Sequence, residues 1–410
     1  MRCLYFILFQ LFCFQVHAQS EIELAIRSYV DTLCSPTFFG RGYEHRGADK
    51  AGVFIADFVR EQGLKPIQDS YSQKYAFKVV EHSGNQNLRI NRKALLLGHD
   101  YFPHPSNGNA HDSGRVVSPR LGKTPSQKKI AHKLKRSLKK GEYWLLSNSA
   151  FWKTNWQLKN FIDNYQVCFW EEEKLTGHIS ATLFNQPSFY VKKGALNSGD
   201  QVDFTTSGSL NETQQRNVFG LVPGVTDSLI VFTAHYDHIG GWGDHVFVPG
   251  ANDNASGTAL LMGLIRLVQQ DSVPPHSLVF VFFSGEEAGL KGSKFFVDNI
   301  PLDTSKIKAV YNLDLVGTGS DGITVVNGTE EVSLFHKIQK IGQPLFPKIV
   351  VRGQAANSDH YWFSKQGIPA VFIYGMGPRT AYHDVTDIPE TMPQPMLGAF
   401  ISLLKNLIYE

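Results

Sequence analysis

A chain of 410 residues can hold one large domain with an insertion or two compact units, with ample material for a buried core. Hydrophobic residues make up 42% and charged residues 19%, which is ordinary for a globular protein and excludes the disordered and fibrous classes. A net charge of +3 is too small to point to a nucleic-acid partner.

The N-terminus has the pattern of a targeting segment. Arg2 supplies a positive start, residues 3 to 16 are almost wholly apolar, and Val16-His17-Ala18 ends in a small residue before Gln19. Residues 1–18 therefore read as a cleaved secretory signal, and the expected location is secreted or periplasmic. The apolar stretch falls short of the roughly 20 residues that a spanning helix needs, and no second segment is long and apolar enough to span. Cys3 and Cys13 leave with the signal, so Cys34 and Cys168 remain. They could form one disulfide in an oxidising compartment, but sequence does not say whether their backbones approach. Neither lies near an acidic motif, so a thiol nucleophile is not expected.

Helical spacing runs from Glu21 to Leu33 and again from Ala48 to Gln62, where Gly63 stops it. Between them Phe38-Phe39-Gly40-Arg41-Gly42 reads as a glycine-punctuated turn. From 81 to 200 the pattern changes to short strand-like runs, Tyr143 to Leu146 and Ser188 to Val191, with polar loops and a basic segment between Lys128 and Lys140. That segment carries Lys128, Lys129, Lys133, Lys135, Arg136, Lys139 and Lys140. It reads as a solvated helix face, since no aromatic interleaving or phosphate-binding loop accompanies it.

The second half alternates strand and helix. Strands are expected at Leu229 to Ala234, Leu278 to Phe283, Ala309 to Leu313 and Pro369 to Tyr374. Helices are expected at Gly257 to Gln270, Leu290 to Asn299, Glu331 to Ile341 and Pro395 to Tyr409. Apolar strands without alternation, separated by helices, predict an α/β fold with a mainly parallel sheet covered on both faces. The chain then divides into a signal, residues 19–80 and 201–410 as the parts of one main domain, and 81–200 as an inserted smaller unit.

In an open sheet of this kind ligands bind at the carboxyl ends of the strands. His235 directly follows one predicted strand, Glu286-Glu287 follow the next, Asp314 ends a third and His383 lies in the loop after a fourth. Each alone is weak: a strand-end histidine is usually just hydrogen-bonded, and the aspartate of Ala251-Asn252-Asp253-Asn254 is commonly a helix cap. Together they would pile negative charge on one buried edge, which a fold tolerates only with compensating cations. Two histidines and three carboxylates suit a pair of zinc ions with one carboxylate bridging. Of adjacent carboxylates, one can hold a cation while its neighbour takes a proton from water, as metal-assisted hydrolysis requires. In His235-Tyr236-Asp237 a carboxylate two residues on can reach back to the imidazole.

His235-Tyr236-Asp237, Pro249 to Gly257 (Pro-Gly-Ala-Asn-Asp-Asn-Ala-Ser-Gly), Ser284-Gly285-Glu286-Glu287, Asn312-Leu313-Asp314, Ser358-Asp359-His360 and Tyr382-His383 stand in the order seen in the co-catalytic dizinc aminopeptidases. The chain thus resembles metallopeptidase family twenty-eight, which also holds glutamate carboxypeptidases, glutaminyl cyclases and transferrin-receptor-like proteins. The likeness is strong over roughly 215–390 and weaker over 20–70, where Phe39-Gly40-Arg41-Gly42 looks like the family's N-terminal segment. The 81–200 unit stands where many members carry a protease-associated or apical insertion, though no motif identifies it as one.

The resemblance implies a zinc-exopeptidase fold of the phosphorylase/hydrolase-like type and two zinc ions. His235 and Asp314 would bind one, Glu287 and His383 the other, and Asp253 would bridge them. Glu286 would be the general base and then the acid, acting on a hydroxide held between the two cations. Asp237 would orient His235, Tyr382 would stabilise the oxyanion, and Asp359 would belong to a hydrogen-bonded shell near the metals. The implied activity is that of a secreted aminopeptidase acting on peptide substrates. A one-zinc glutaminyl cyclase is the alternative within the fold, and an inactive receptor-like binding protein the alternative outside catalysis; all five ligand positions are filled, which favours the peptidase. Trp242, Trp362 and Phe363 are candidates to line an apolar side-chain pocket.

Overall fold

A computed structural model of the protein describes residues 21–122, 125–378, 381–392 and 396–410. The signal expected at residues 1–18 lies outside these, as does the predicted start of the last helix at Pro395.

Strand and helix alternate through the second half as the apolar pattern predicts. His276–Phe283, Thr226–His235, Ile307–Leu313 and Ala370–Met376 lie side by side in parallel at the centre of an eight-stranded sheet. Their unbroken apolar runs follow from burial on both sides. Phe232, Phe280 and Phe282 point into one core with Ile26, Ile55, Leu260 and Leu404. Val231, Val279 and Phe283 point into the other with Phe296 and Phe363. The first core holds residues from the helices at 21–33, Gly47–Glu61, Ser256–Gln270, Val332–Gly342 and Leu397–Tyr409. The second holds residues from Lys291–Asp298 and His360–Lys365.

The sheet as a whole is mixed, with four parallel strand pairings and three antiparallel ones. Ser72–Glu81 pairs antiparallel with Ser209–Val222, which pairs antiparallel with His276–Phe283; at the other side Gly322–Val326 runs antiparallel to Ala370–Met376 and parallel to Ile349–Val351. The first two strands escape the apolar pattern because their paired halves are polar: Gln73, Lys74 and Lys78 lie opposite Asn217, Arg216 and Glu212. The register of this ribbon, from Ser72 opposite Val218 to Glu81 opposite Ser209, leaves the inserted residues at its tip.

Those residues build a second eight-stranded sheet, in which Ala110–Val117, Glu142–Leu146, Cys168–Glu172 and Ser188–Lys192 run parallel and Gln201–Thr206 returns antiparallel. The basic segment is the helix Gln127–Leu138, which buries Ile130 and Leu134 and leaves Lys128, Lys129, Lys135 and Arg136 exposed. Cys34 and Cys168 are free thiols buried in different cores. Among the described residues no helix is long and apolar enough to cross a membrane.

Candidate metal centre

The polar residues that follow the central strands meet at their carboxyl ends. His235 is the last residue of its strand, and Asp314 comes directly after Leu313, the end of another. Glu286 and Glu287 follow Phe283 after a turn in which Gly285 takes a positive φ of 73°. His383, also at positive φ, comes from the loop after Met376.

Asp253 stands between them. Its Oδ1 lies 3.5 Å from His235 Nε2, and its Oδ2 lies 3.1 Å from His383 Nε2. On the first side Asp314 Oδ1 is 3.4 Å from His235 Nε2; on the second Glu287 Oε1 is 3.3 Å from His383 Nε2. Two groups of residues each offer ligand atoms within 4.8 Å of one another: His235, Glu286 and Asp314 in one, His238, Asp253, Glu287 and His383 in the other. All five residues expected as ligands are therefore brought together, and Glu286 stands among them.

The loop that carries Asp253 is fixed by its neighbours in sequence. Asn254 Oδ1 accepts from the Gly257 N–H at 2.9 Å, and Asn254 Nδ2 donates to the Leu313 carbonyl. The capping task at the start of Ser256–Gln270 thus falls to Asn254, which leaves the Asp253 carboxylate for the cluster. Ser256 Oγ donates to the Asn252 carbonyl and Thr258 Oγ1 to the His235 carbonyl. Beneath the loop lies Arg41, fully buried, whose guanidinium donates to the carbonyls of Leu33, Tyr236, Pro249 and Gly250 at 2.6–3.0 Å. The segment read as a simple turn thus supplies the cation that ties the His235 strand end to the Asp253 loop. Asp387 completes the frame by accepting from the Asn252 and Asp253 N–H groups. Nothing local in the sequence around Arg41 or Asp387 signals this, since each acts across more than a hundred residues.

Asp237 is placed differently from its expected role. Its carboxylate lies 3.7 Å from His235 Nδ1, while its own main-chain carbonyl is nearer, at 3.1 Å. The carboxylate instead accepts from the Tyr43 hydroxyl and from the N–H groups of Glu286 and Glu287. It holds the glutamate pair in place, and the backbone takes over much of the orienting of His235. A relay from Thr233 through Asn312 and Ser358 reaches Asp314 Oδ2 at 2.9 Å. Asp359 is buried beside this relay, where burial pushes its carboxyl up to about 7. His238 is the residue the sequence reading omits: its Nδ1 lies 2.7 Å from Glu287 Oε1. A signal was available, since it extends His235-Tyr236-Asp237 by one position.

The electrostatics are those of carboxylates crowded together. Burial, and then Glu287, push the Glu286 carboxyl well above its usual range, against the pull of His235. Burial raises Glu287 too, but His383 and the hydrogen bond to His238 outweigh it and hold Glu287 well below. Burial works to lower His383, yet Glu287 and Asp253 push it up to about 11. The same carboxylates that favour the protonated forms of His235 and His383 would favour a bound cation, which has to compete with those protons. The donor set fits zinc: imidazoles and carboxylates, with buried Asp314 Oδ1 and His238 Nε2 lacking a hydrogen-bond partner.

A cavity of about 260 Å³ opens over the cluster, walled by Leu315, Phe372, Tyr374, Tyr382, Asn357 and Arg352. The Tyr382 ring stacks on His383 with centroids 3.9 Å apart. Trp242 and Phe363 belong to apolar cores and Trp362 packs at the edge of one, so none of the three lines this cavity. The aromatic wall comes instead from the last parallel strand, Ala370–Met376.

Residues 217–408 match the model of peptidase family M28. Aminopeptidase YwaD of Bacillus subtilis (strain 168) is 30% identical over 258 residues, which cover 58% of this chain and 54% of that protein. A probable leucine aminopeptidase of Arthroderma otae is 28% identical over 213 residues, 49% of this chain and 56% of that protein. The chain thus spans about half the length of the curated relatives it matches. Among solved structures, a zinc aminopeptidase from Bacillus subtilis superposes with a TM-score of 0.70 over 95% of both chains at 19% identity. An aminopeptidase from Aneurinibacillus sp. strain AM-1 gives 0.64 over 94% and 93% at 16% identity. These two share the fold. The matched segment carries every residue of both clusters, and over that segment the chain is similar to peptidase family M28.

Proposed function

We propose that the protein is a zinc exopeptidase that removes N-terminal residues from peptides, with Asp253 standing between the residues that would hold two metal ions. The observation that carries this reading is the two-sided placement of Asp253, one oxygen toward His235 and the other toward His383. His235 and Asp314 would hold one ion, Glu287 and His383 the other, with His238 bracing Glu287. Bound there, zinc would polarise the scissile carbonyl and make the attacking water more acidic.

The chain's own residues supply the proton traffic and the positioning. Glu286 takes a proton from the attacking water and passes it to the leaving amine, a task suited to a half-buried carboxyl with a raised pKa. Tyr382 stands on the cavity wall where its hydroxyl can donate to the developing oxyanion. Asp237 keeps Glu286 in line by holding its main-chain N–H. The cavity is smaller than the ~300–1,000 Å³ of sites for drug-sized ligands, which suits one chain end better than an extended segment. The aminopeptidase names of the relatives favour the amino end. Export from the cytoplasm rests on the charge and apolar pattern of residues 1–18.

Incubation of the zinc-loaded protein with leucyl and other aminoacyl arylamides, acyl-glutamyl peptides and a glutaminyl peptide tests the reading. Release of arylamine from free-amine substrates is expected. Cleavage of only the acyl-glutamyl series, or formation of a pyroglutamyl product, would replace it with a carboxypeptidase or a cyclase.

A further inference from the structure

The loop between Cys168–Glu172 and Ser188–Lys192 leaves the inserted sheet and runs to the metal centre of the other sheet. At its nearest point Gly177 and His383 exchange two hydrogen bonds. The Gly177 N–H donates to the His383 carbonyl at 2.6 Å, and His383 Nδ1 lies 3.2 Å from the Gly177 carbonyl. With Nε2 turned toward Asp253 and Glu287, Nδ1 carries the proton and donates it to that carbonyl. A metal-bound histidine needs such a partner on its other nitrogen, which selects the tautomer and fixes the ring.

The loop is built to stay in this place. Leu175 is buried with Phe102, Ile239, Trp242 and Val248, and the Ser180 carbonyl accepts from the Val80 N–H. Lys174 pairs with Asp384, the residue after His383, at 3.1 Å. A Cβ at position 177 would lie 2.8 Å from the Trp242 ring and 2.9 Å from Ile239 Cγ2, so only glycine lets the loop come this close. His383 sits at φ 53°, a left-handed conformation that a non-glycine residue holds only when its surroundings impose it. The exchanged pair of hydrogen bonds is part of what imposes it.

We propose that Gly177 is a positioning residue of the metal centre, so that uptake of the cation on the His383 side depends on a loop of the inserted unit, outside the segment that matches the peptidase family. The inference rests on the dizinc reading and adds a division within it: the His235–Asp314 side is complete without the inserted unit, and the His383–Glu287 side is not.

Zinc titration of the chelator-treated full chain, followed by calorimetry, separates the two sides. The unmodified chain takes up two zinc ions. In Gly177→Ala the added methyl forces the loop off His383, and the affinity for one of the two falls about 10–100-fold while the other keeps its value. Pairing Gly177→Ala with Trp242→Phe, which removes the ring atoms the methyl meets, restores part of the loss. Should Gly177→Ala fail to fold, the unmodified zinc-loaded chain still decides the matter. The His383 Nδ1–H, assigned by its absence in His383→Gln, is expected as a slowly exchanging imidazole proton. Two zinc ions bound by folded Gly177→Ala with unchanged affinities, or a His383 Nδ1–H that exchanges freely, overturns the inference and leaves the dizinc reading standing. An unmodified chain that takes up fewer than two zinc ions overturns the dizinc reading itself.

Discussion

Asp163 in the inserted sheet and Asp253 at the carboxyl edge of the first sheet are both buried carboxylates, and their surroundings are opposite in kind. Asp163 accepts from Lys159 Nζ at 2.6 Å, Trp170 Nε1 at 2.7 Å and Ser188 Oγ at 2.5 Å. The protein itself supplies every donor it needs. Around Asp253 the neighbours are further carboxylates, Glu286, Glu287 and Asp314, and the side chains interleaved with them are histidines. Burial of a carboxylate is therefore no mark of a metal site. What distinguishes the second group is that its negative charge is left for something outside the chain to balance.

Glu286→Gln gives the sharpest test of that comparison, because it removes the base and leaves the ligands. The expected kcat falls by about 10²–10⁴-fold, with two zinc ions still bound and an unchanged melting temperature. Steady-state kinetics beside metal analysis decides it: activity within a factor of a few of the unmodified chain removes Glu286 from the proton path.

Asp253→Asn and Asp163→Asn then pull the two carboxylates apart. Binding of one zinc ion at a thousandfold excess over its dissociation constant stabilises the native state by about 4 kcal/mol, so chelation lowers the melting temperature of the unmodified chain. Asp253→Asn loses that response, and without metal it costs less than Asp163→Asn, since the attraction to His383 that it gives up is offset by relief of the repulsion from Glu287. Asp163→Asn leaves Lys159 without its partner ion and costs about 3 kcal/mol whether or not metal is present. The comparison fails if Asp163→Asn alters zinc stoichiometry, or if Asp253→Asn destabilises the chelated protein by a similar amount.

How much of this could be read from the sequence follows from the same physics. Runs such as Leu278 to Phe283 announce strands buried on both faces, and the polar residues just beyond them, His235, Glu286, Glu287 and Asp314, are placed by the strands' own ends. The Asp253 loop is legible because its neighbours Asn254, Ser256 and Thr258 serve it locally. Arg41, Asp387 and Gly177 are a different case. They reach the centre from 212, 134 and 206 residues away along the chain, each by a contact in which one partner is a main-chain atom that carries no residue-type signal. The polar ribbon of Ser72–Glu81 and Ser209–Val222 was hidden for the related reason that its paired halves carry polar residues, so no continuous apolar run marks them as strands.

The smallest effect is expected at the basic helix of the inserted sheet. Its apolar stripe, Ile130 and Leu134, is already buried against Trp144 and Trp170, so folding has used the face that packs. Lys128, Lys129, Lys135 and Arg136 project into solvent, where exposed charges change stability by less than about 0.5 kcal/mol each. Lys128→Glu combined with Lys135→Glu should therefore leave the melting temperature, zinc content and kcat/KM on an uncharged substrate unchanged. A large loss of stability would mean that these side chains pack rather than merely solvate. A loss of kcat/KM confined to acidic peptides would mean that the basic face steers substrate, and that the inserted unit touches the reaction at a second place besides Gly177.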